Sequence, residues 1–256
     1  MLSSIDRDVV TRLRDAGCVF AEDEAQMLIS TATTQSDLTA MVDRRVDGLP
    51  LEQVLGWAEF CGLRMAVDAG VFVPRARTEL LVRQAVAGAR AGAVVVDLCC
   101  GSGAVGAALA VALDRIELHA VDIDPAAVRC ARRNIGADGH VYEGDLYEPL
   151  PAGLRGRVDV LVANAPYVPT EAIGLMPREA RLHEPLVALD GGSDGLDVVR
   201  RVAAAAPQWL VVGGSLLIET SERQAPRTIE ELARGGMSPR VVGCEESDAT
   251  VVIAVR

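Results

Sequence analysis

The sequence predicts an α/β fold. Helices flank a mostly parallel sheet of seven strands, an antiparallel hairpin closes the sheet at the C-terminal end, and a small helical domain comes first. Two observations carry this prediction. From residue 77 onward, strand-like and helix-like segments alternate regularly, which is typical of βαβ units and therefore of a parallel sheet. The first strand of this series also runs into a glycine-rich turn that opens a helix, as in Rossmann-like folds.

The individual elements follow from the spacing of apolar residues. We expect strands at residues 93–98, 116–122, 139–142, 158–163, 209–219, 238–244 and 249–255. We expect helices at residues 77–90, 104–113, 125–135, 194–206 and 222–234. The last two strands follow each other without a helix between them, so they form the predicted antiparallel hairpin.

The first part of the chain has a different pattern, because its apolar residues recur at helical spacing without a strand-like segment. The next residues alternate between apolar and other types around Gly62, which predicts a β-hairpin. The sequence therefore predicts a helical domain at residues 1–56, a β-hairpin linker at 57–76 and a main domain at 77–256.

Composition excludes several classes of function. A net charge of −11 argues against direct binding to nucleic-acid phosphates, which requires clustered Lys and Arg. The six cysteines and three histidines show no metal-ligand spacing, so we expect no metal and reduced thiols. No apolar stretch approaches the roughly 18 residues of a membrane span, and the N-terminus lacks a signal pattern. We expect a cytoplasmic monomer that acts on a protein or a small molecule.

A glycine-rich loop and a later acidic residue form a nucleoside-binding pattern. Residues 97–106 read D-L-C-C-G-S-G-A-V-G, and the next strand ends at Asp122. Gly101 and Gly103 let the backbone approach a ligand, and the Asp122 carboxylate can accept hydrogen bonds from both ribose hydroxyls. The same letters satisfy the dinucleotide fingerprint, so a nicotinamide dehydrogenase and an S-adenosylmethionine-dependent methyltransferase both fit the loop.

Two acidic residues favour S-adenosylmethionine over a dinucleotide. Asp97 stands just before the loop, where its charge would repel a pyrophosphate but tolerate a cationic ligand. Asp145 follows the third strand in a G-D-L sequence, on the expected adenine side. The sequence therefore predicts a Rossmann-like class I methyltransferase fold that binds S-adenosylmethionine and releases S-adenosylhomocysteine.

The candidate catalytic residues form an N-A-P-Y turn, Asn164 to Tyr167, at the carboxyl end of the buried strand 158–163. A planar amide or amine is a poor nucleophile, so a site must hold its NH₂ by the hydrogens. The Asn164 side-chain oxygen and the Ala165 carbonyl can do this. Pro166 restricts the turn, and Tyr167 offers a flat face for packing. The turn alone is generic, but its place in a nucleoside-binding domain predicts an active site.

Four polar residues near these motifs have no decisive pattern. Arg75 and Glu79 fit either the wall of the cofactor pocket or ordinary surface and capping charges. His183 beside Glu184 looks like an acid–base pair, but an amide acceptor needs no strong base before methyl transfer. A structural role is therefore favoured for that pair.

Longer segments resemble the protein-(glutamine-N5) methyltransferases that modify peptide chain release factors, the HemK/PrmC type. Residues 51–63 and 71–82 look like the family's linker, and the glycine loop, D-I-D-P and N-A-P-Y follow in the family's order. Residues 181–197, R-L-H-E-P-L-V-A-L-D-G-G-S-D-G-L-D, are similar to a less generic stretch of the family. That stretch favours this family over nucleic-acid adenine methyltransferases, which share the N-P-P-Y type of turn.

The resemblance implies methyl transfer from S-adenosylmethionine to the N5 amide nitrogen of a glutamine in a protein. A peptide chain release factor is the candidate substrate, and the N-terminal helices would help to recognise it. Asn164 and Tyr167 would be catalytic, and residues 164–167 would bind the glutamine. With the motifs above, the expected cofactor-binding residues are Asp97, Cys99, Cys100, Gly101, Ser102, Gly103, Asp122, Ile123, Asp145, Leu146 and Asn164.

The chain departs from the family's pattern at three places. Ala165 replaces a proline, Cys99-Cys100 replaces Gly-Thr, and R-A-R-T-E replaces R-P-E-T-E, which reverses a charge at Arg77. Alanine keeps the carbonyl, so we expect activity to survive. Cys99 takes the place of a glycine that adopts positive φ, so either the backbone differs there or the position tolerates a side chain.

Two alternatives to this function stay open at the level of sequence. One is an S-adenosylmethionine-dependent enzyme that methylates an amine of a small molecule or a nucleic acid. The other is a non-catalytic protein that binds S-adenosylmethionine and uses its helical domain to bind a partner.

Overall fold

The structure, a computed structural model, describes residues 4–256. The helices are α1 Ser4–Asp15, α2 Ala21–Thr31, α3 Gln35–Val46, α4 Leu51–Leu55, α5 Glu79–Gly88, α6 Ala104–Ala112, α7 Pro125–Ile135, α8 Arg178–His183, α9 Asp197–Trp209 and α10 Ala225–Arg234. The strands are β1 Trp57–Phe60, β2 Leu63–Ala66, β3 Val94–Leu98, β4 Glu117–Asp122, β5 Gly139–Glu143, β6 Val158–Ala163, β7 Leu210–Thr220, β8 Ser238–Cys244 and β9 Ala249–Val255. No helix in this range is long and apolar enough to cross a membrane.

Seven strands form one sheet in the order β5-β4-β3-β6-β7-β9-β8. The pairs from β5 to β7 are parallel, whereas β9 pairs antiparallel with both β7 and β8. This confirms the predicted fold class, including the antiparallel hairpin at the C-terminal end. The chain starts the sheet at β3 and adds strands first on one side and then on the other. The order therefore reverses between β3 and β6, where ligands of such sheets bind.

Both faces of the sheet are covered by helices, which explains the unbroken apolar runs in its central strands. Along β3, Val94, Val96 and Leu98 pack into one core, and Val95 packs into the other. In the first core the ring of Tyr147 stacks on Trp209, with 5.5 Å between ring centroids. Each large apolar side chain buried in this way contributes about 1.5–3 kcal/mol.

The N-terminal helices have a core of their own, in which Leu13 and Leu28 are fully buried. They are joined to the rest of the molecule by polar contacts. Arg45 binds Glu24 through two hydrogen bonds and lies 3.5 Å from Glu179 of α8. Gln53 donates to the carbonyl oxygens of Val71 and His183. The helical region therefore contacts the segment that leads into the mouth of the cleft described below.

Most elements lie within three residues of their predicted boundaries, and two show the largest differences. The hairpin is confined to residues 57–66, because β2 ends at Ala66 and the following residues leave the strand. The helix expected at 194–206 begins at Asp197 and continues to Trp209. Its start is delayed because Asp194 accepts a hydrogen bond from the Leu196 N–H, which holds the preceding residues in a loop.

Candidate active site

A cleft of about 1200 Å³, its open mouth included, lies at the carboxyl ends of β3, β4 and β6. It brings together predicted residues from four separate parts of the chain. Its walls include eleven residues that matter below: Arg75, Arg77, Cys99, Gly101, Asp122, Ile123, Asp145, Leu146, Asn164, Ala165 and Tyr167. Pro166 lines it as well, so every residue of the N-A-P-Y turn faces the same space as Asp122.

The Asp122 carboxylate is fixed by backbone groups at the end of β4. Its Oδ2 accepts from the Gly101 N–H at 2.7 Å, and its Oδ1 accepts from the Asp124 N–H at 2.9 Å. Burial raises the pKa of Asp122, while these backbone hydrogen bonds oppose the rise. Each oxygen keeps a further lone pair, so the carboxylate can still accept hydrogen bonds from a ribose in the cleft.

The loop after β3 depends on backbone conformations that favour glycine. Gly103 has φ +77°, and a Cβ there would lie 2.9 Å from Ala131. Cys99 has φ +55°, and Leu146, on the opposite wall, has φ +50°. The backbone at Cys99 therefore keeps the left-handed conformation although the residue is not glycine, at a cost of about 1–2 kcal/mol.

Four of the predicted cofactor residues do not line the cleft. Asp97 is buried near the end of β3, and Cys100, Ser102 and Gly103 are buried within the loop. Asp97 is 2 % exposed, and its Oδ2 accepts from the Gly106 N–H at 2.9 Å, which supports the first turn of α6. Burial raises the pKa of Asp97 to about 7. Direct contact of these four residues with a ligand stays a prediction.

The far wall of the cleft suits an adenine ring. Ile123 is 51 % exposed and Leu146 is buried, so together they present apolar surface next to Asp122. Asp145 also lines the cleft, but its Oδ2 already accepts from Arg201 Nη2 at 2.6 Å. Part of the hydrogen-bonding capacity that the sequence assigned to the adenine side is therefore used within the protein.

The charge of the cleft fits a cationic ligand. Its acidic lining residues are Asp122, Asp124, Asp145, Glu184 and Asp190, and its basic ones are Arg75, Arg77 and Arg201. An excess of carboxylates would repel a pyrophosphate and favours a sulfonium. The ribose acceptor, the apolar wall and this charge agree with S-adenosylmethionine, and they disagree with a dinucleotide. No group of His, Cys, Asp and Glu in residues 4–256 could hold a metal ion.

Asn164 is oriented by a neighbour in the short helical turn before α5. Its Nδ2 donates to Thr78 Oγ1 at 3.3 Å. Because the amide nitrogen is engaged there, the Oδ1 atom remains to accept a hydrogen bond from a ligand. Ala165 is 1 % exposed and follows directly, so its backbone carbonyl is part of the same turn. The turn therefore offers acceptor groups, which is what an NH₂ group requires.

Tyr167 is held at both its ring and its backbone. Arg77 Nη2 donates to Tyr167 Oη at 2.6 Å, and Arg77 Nε donates to the buried Glu219 at 3.3 Å. Gln224 Nε2 donates to the Tyr167 carbonyl at 2.8 Å. Burial raises the pKa of Tyr167, so the phenol is neutral at physiological pH. No local pattern in the sequence indicates Thr78 and Arg77 as partners of the turn, because these contacts span 86 and 90 residues. Glu219, which Arg77 also binds, lies 142 residues from Arg77.

The D-G-G-S-D-G sequence packs directly against the N-A-P-Y turn. Val168 donates to the Leu189 carbonyl and accepts from the Gly191 N–H. A Cβ at Gly191 would lie 2.7 Å from the Pro166 carbonyl oxygen, and one at Gly195 would lie 2.3 Å from the Tyr167 carbonyl oxygen. Only glycine allows this approach, which explains why these glycines accompany the turn.

Of the four polar residues without a decisive sequence pattern, two line the cleft and two do not. Glu184 Oε1 accepts from Arg75 Nη2 at 2.5 Å and from the Val73 N–H, and both side chains line the cleft. Glu79 does not line it, because its Oε1 accepts from the Cys61 N–H and ties the hairpin to α5. His183 is not among the residues that line the cleft; its carbonyl accepts from Gln53.

Comparisons with known proteins agree with this site. The methyltransferase small domain family matches residues 63–179. The release factor glutamine methyltransferase of Geobacter sulfurreducens is 40% identical over 199 residues, which are 77% of this chain and 69% of that protein. The ribosomal protein uL3 glutamine methyltransferase of Bordetella pertussis is 36% identical over 247 residues, 91% of this chain and 78% of that protein.

A solved structure supports the fold alone. A methyltransferase from Pyrococcus furiosus, 17% identical, superimposes with a TM-score of 0.58 over 76% of this chain and 89% of that chain. The identities with the enzymes of Geobacter and Bordetella, over most of both chains, decide the family. The chain belongs to the S-adenosylmethionine-dependent protein glutamine methyltransferases.

Proposed function

We propose that this protein methylates the side-chain amide nitrogen, N5, of a glutamine in a peptide chain release factor. The observation that carries the proposal is the orientation of Asn164. Its Nδ2 is occupied by Thr78, so its Oδ1 is left for an acceptor N–H in the cleft that also contains Asp122. Similarity to the release factor glutamine methyltransferases supports the choice of acceptor.

The turn would bind the acceptor by its two amide hydrogens. Asn164 Oδ1 would accept one hydrogen, and the Ala165 carbonyl would accept the other. These two bonds fix the plane of the amide, so the nitrogen presents its face instead of its edge to the incoming methyl group. Most of the rate enhancement would then come from orientation, which is worth several kcal/mol in well-aligned reactions.

Tyr167 would pack its ring against the planar amide. During transfer the acceptor nitrogen gains positive charge before it loses a proton. The aromatic face of Tyr167 and the two carbonyl oxygens of Asn164 and Ala165 all stabilise such a charge electrostatically. No strong base is needed, because the protonated product amide is a strong acid.

The other end of the cleft would hold the cofactor. Bound S-adenosylmethionine supplies an electrophilic methyl group on a cationic sulfur. Asp122 would accept from the ribose hydroxyls, and Ile123 and Leu146 would contact the adenine. The backbone of Cys99 and Gly101 would approach the amino-acid end, with Asp145 and Asn164 beside it. The remaining predicted residues would stabilise the conformation of the loop without facing the cleft: Asp97, Cys100, Ser102 and Gly103.

Residues 1–56 would recognise the protein substrate as a helical domain, and the 57–76 linker would join them to the methyltransferase domain. The contacts of Arg45 with Glu179 and of Gln53 with the His183 carbonyl support this assignment. They fix the helices beside the segment whose Val187 lines the mouth of the cleft. A protein that enters the cleft would therefore meet the helices as well.

The proposal is tested by asking which macromolecule receives the methyl group. Purified enzyme is incubated with methyl-labelled S-adenosylmethionine and, separately, with a purified release factor, purified ribosomal protein uL3, total RNA and a small-molecule fraction of a lysate. We expect label in the release factor. Label in uL3 alone would mean that the reaction is as proposed but that the substrate is uL3 and not a release factor. Label confined to RNA or small molecules, or cofactor binding without transfer to any fraction, would contradict the proposal.

A further inference from the structure

Arg77 lines the cleft beside Tyr167, and the proposed function assigns it no role in binding or catalysis. It lies in the helical turn Ala76–Thr78 that precedes α5. Its guanidinium donates through Nη2 to Tyr167 Oη at 2.6 Å and through Nε to Glu219 Oε1 at 3.3 Å. The guanidinium carbon also lies 5.9 Å from the centroid of the Tyr167 ring. The Arg77 side chain is partly exposed and contacts the Tyr167 ring, which is proposed to pack on the acceptor amide.

Glu219 anchors this arrangement from inside the protein. It lies on β7, next to the strand that carries the catalytic turn, and its side chain is 3 % exposed. Burial raises the pKa of Glu219, whereas the neighbouring Thr78 and the charge of Arg77 lower it. A buried carboxylate is stable as an ion only with such partners, so Arg77 has a structural reason to stay in place.

The short segment that carries Arg77 also contacts the other end of the turn. Thr78, the residue after Arg77, accepts from Asn164 Nδ2 at 3.3 Å. Asn164 and Tyr167 are therefore held by two neighbouring residues, Asn164 by Thr78 and Tyr167 by Arg77. A single short segment thus sets both functional side chains of the turn.

We propose that Arg77 is a positioning residue for the acceptor: it holds the Tyr167 ring in one orientation against the acceptor amide. The inference rests on the proposed function, because it assigns the ring to the acceptor. A tyrosine side chain rotates about two torsions, and the hydroxyl is the only polar atom by which the ring can be held. The planar guanidinium binds that hydroxyl and the carboxylate at once, which a shorter or more flexible side chain cannot do as well.

The expected effect is confined to the acceptor. Arg77→Ala should lower kcat/KM for the protein substrate by about 10–100-fold, the usual range for a lost hydrogen bond to a charged group. The affinity for S-adenosylmethionine should stay within about twofold, because Asp122 and the glycine loop make no contact with Arg77. Arg77→Lys keeps a cation beside Glu219 and should recover part of the loss. Arg83→Ala, which removes an exposed partner of Glu79 on α5, is the matched control with unchanged activity.

A double-mutant cycle distinguishes positioning from a general structural role. The rates of Arg77→Ala, Tyr167→Phe and the double variant are compared at equal folding, checked by thermal unfolding. If Arg77 acts through the Tyr167 hydroxyl, Arg77→Ala should have less than about a threefold further effect in the Tyr167→Phe background. An equal effect in both backgrounds, or full activity of folded Arg77→Ala, would overturn the inference.

A second readout needs no acceptor. The ultraviolet titration of the Tyr167 phenol, taken as the difference between the protein with Tyr167 and the one with Phe, should move to higher pH in Arg77→Ala. The cation that lowers this pKa is then gone. An unchanged titration would overturn the contact itself. Failure of the proposed function looks different: the wild-type enzyme would then methylate no protein, while this titration would still shift.

Discussion

The two ends of the cleft are built in different ways. At the cofactor end, the backbone makes the site: the Gly101 and Asp124 N–H groups hold Asp122, and Cys99 and Leu146 adopt positive φ. At the acceptor end, side chains make the site, through the hydrogen bonds of Asn164 with Thr78 and of Tyr167 with Arg77.

This difference explains which departures from the family's pattern the fold absorbs. A backbone-built site tolerates a change of side chain wherever the dihedral angles survive, as at Cys99. A site built by side chains depends on residue type. Arg77 places a positive charge beside Tyr167, where the family's R-P-E-T-E pattern has a negative one. Substitutions at the acceptor end should therefore affect turnover, and those at the cofactor end should affect cofactor affinity.

The largest effect is expected at Asn164. Asn164→Ala removes the oxygen proposed to orient the acceptor, so kcat should fall by about 100–1000-fold, as for loss of one preorganised polar group in other active sites. Binding of S-adenosylmethionine, measured by calorimetry, should remain measurable. Asn164→Asp, which keeps an oxygen at that position, should lose less. Full turnover by Asn164→Ala would contradict the proposed role of Asn164 in orienting the acceptor.

The opposite pattern is expected at Asp122. Asp122→Ala removes the proposed hydrogen-bond acceptor for the ribose hydroxyls, so the Kd for S-adenosylmethionine should rise by about 10–100-fold. The turnover at saturating cofactor should change much less. Asp114→Ala, which removes an exposed carboxylate paired with Arg115, is the control. If Asp122→Ala lost turnover at saturating S-adenosylmethionine while its Kd for the cofactor stayed unchanged, the two ends of the cleft would not act independently.

A smaller effect, on stability instead of activity, is expected at Asp97. Its pKa is raised to about 7 by burial, so between pH 4 and pH 7 the folded protein binds a proton that the unfolded chain lacks. The contribution of Asp97 to the free energy of unfolding therefore falls as the pH rises through this window and is constant above it.

Asp97→Asn removes that pH dependence and keeps an oxygen for the Gly106 N–H. The variant should therefore gain stability relative to the wild type as the pH rises from about 4 to about 7. Urea unfolding of both proteins at pH 5 and pH 8 measures the change, and the other buried carboxyls cancel in the difference. A difference in stability between the two proteins that is the same at pH 5 and pH 8 would mean that Asp97 is charged in the fold.

The smallest effect is expected at Ala165. Ala165→Pro restores the restraint on φ but leaves the carbonyl, so activity should change by less than about fivefold and stability by about 0.4–1 kcal/mol. Initial rates and thermal unfolding of the two proteins measure both quantities. A loss of activity as large as that of Asn164→Ala would show that the turn differs in shape from an N-P-P-Y turn.

The sequence predicts the backbone-built end of the cleft better than the other. Glycines, the residue at the end of β4 and the strand pattern are local signals, so the fold and the positions of Gly101 and Asp122 follow from them. Asp97 is an exception: its place next to the loop gave no information on which way the side chain points, and it points into the core.

The acceptor end could be predicted only in part. The N-A-P-Y turn has a local signature, but its partners Thr78 and Arg77 come from a distant turn of the chain. Glu219, which binds Arg77, comes from a distant strand. Nothing in the spacing of charges says which Arg will meet which Glu across 142 residues. The 189–195 loop lies between these cases: its glycines were visible, but their contact with the turn required the tertiary structure.

The most direct test concerns the atom that receives the methyl group. A release factor labelled by the enzyme is hydrolysed in strong acid, and the fate of the label is followed. A methylated side-chain amide is cleaved to a carboxylic acid and methylamine, so the label should become volatile. Mass spectrometry before hydrolysis should place one methyl group on a glutamine. Label that stays on a non-volatile amino acid, such as methylated lysine, would contradict the account.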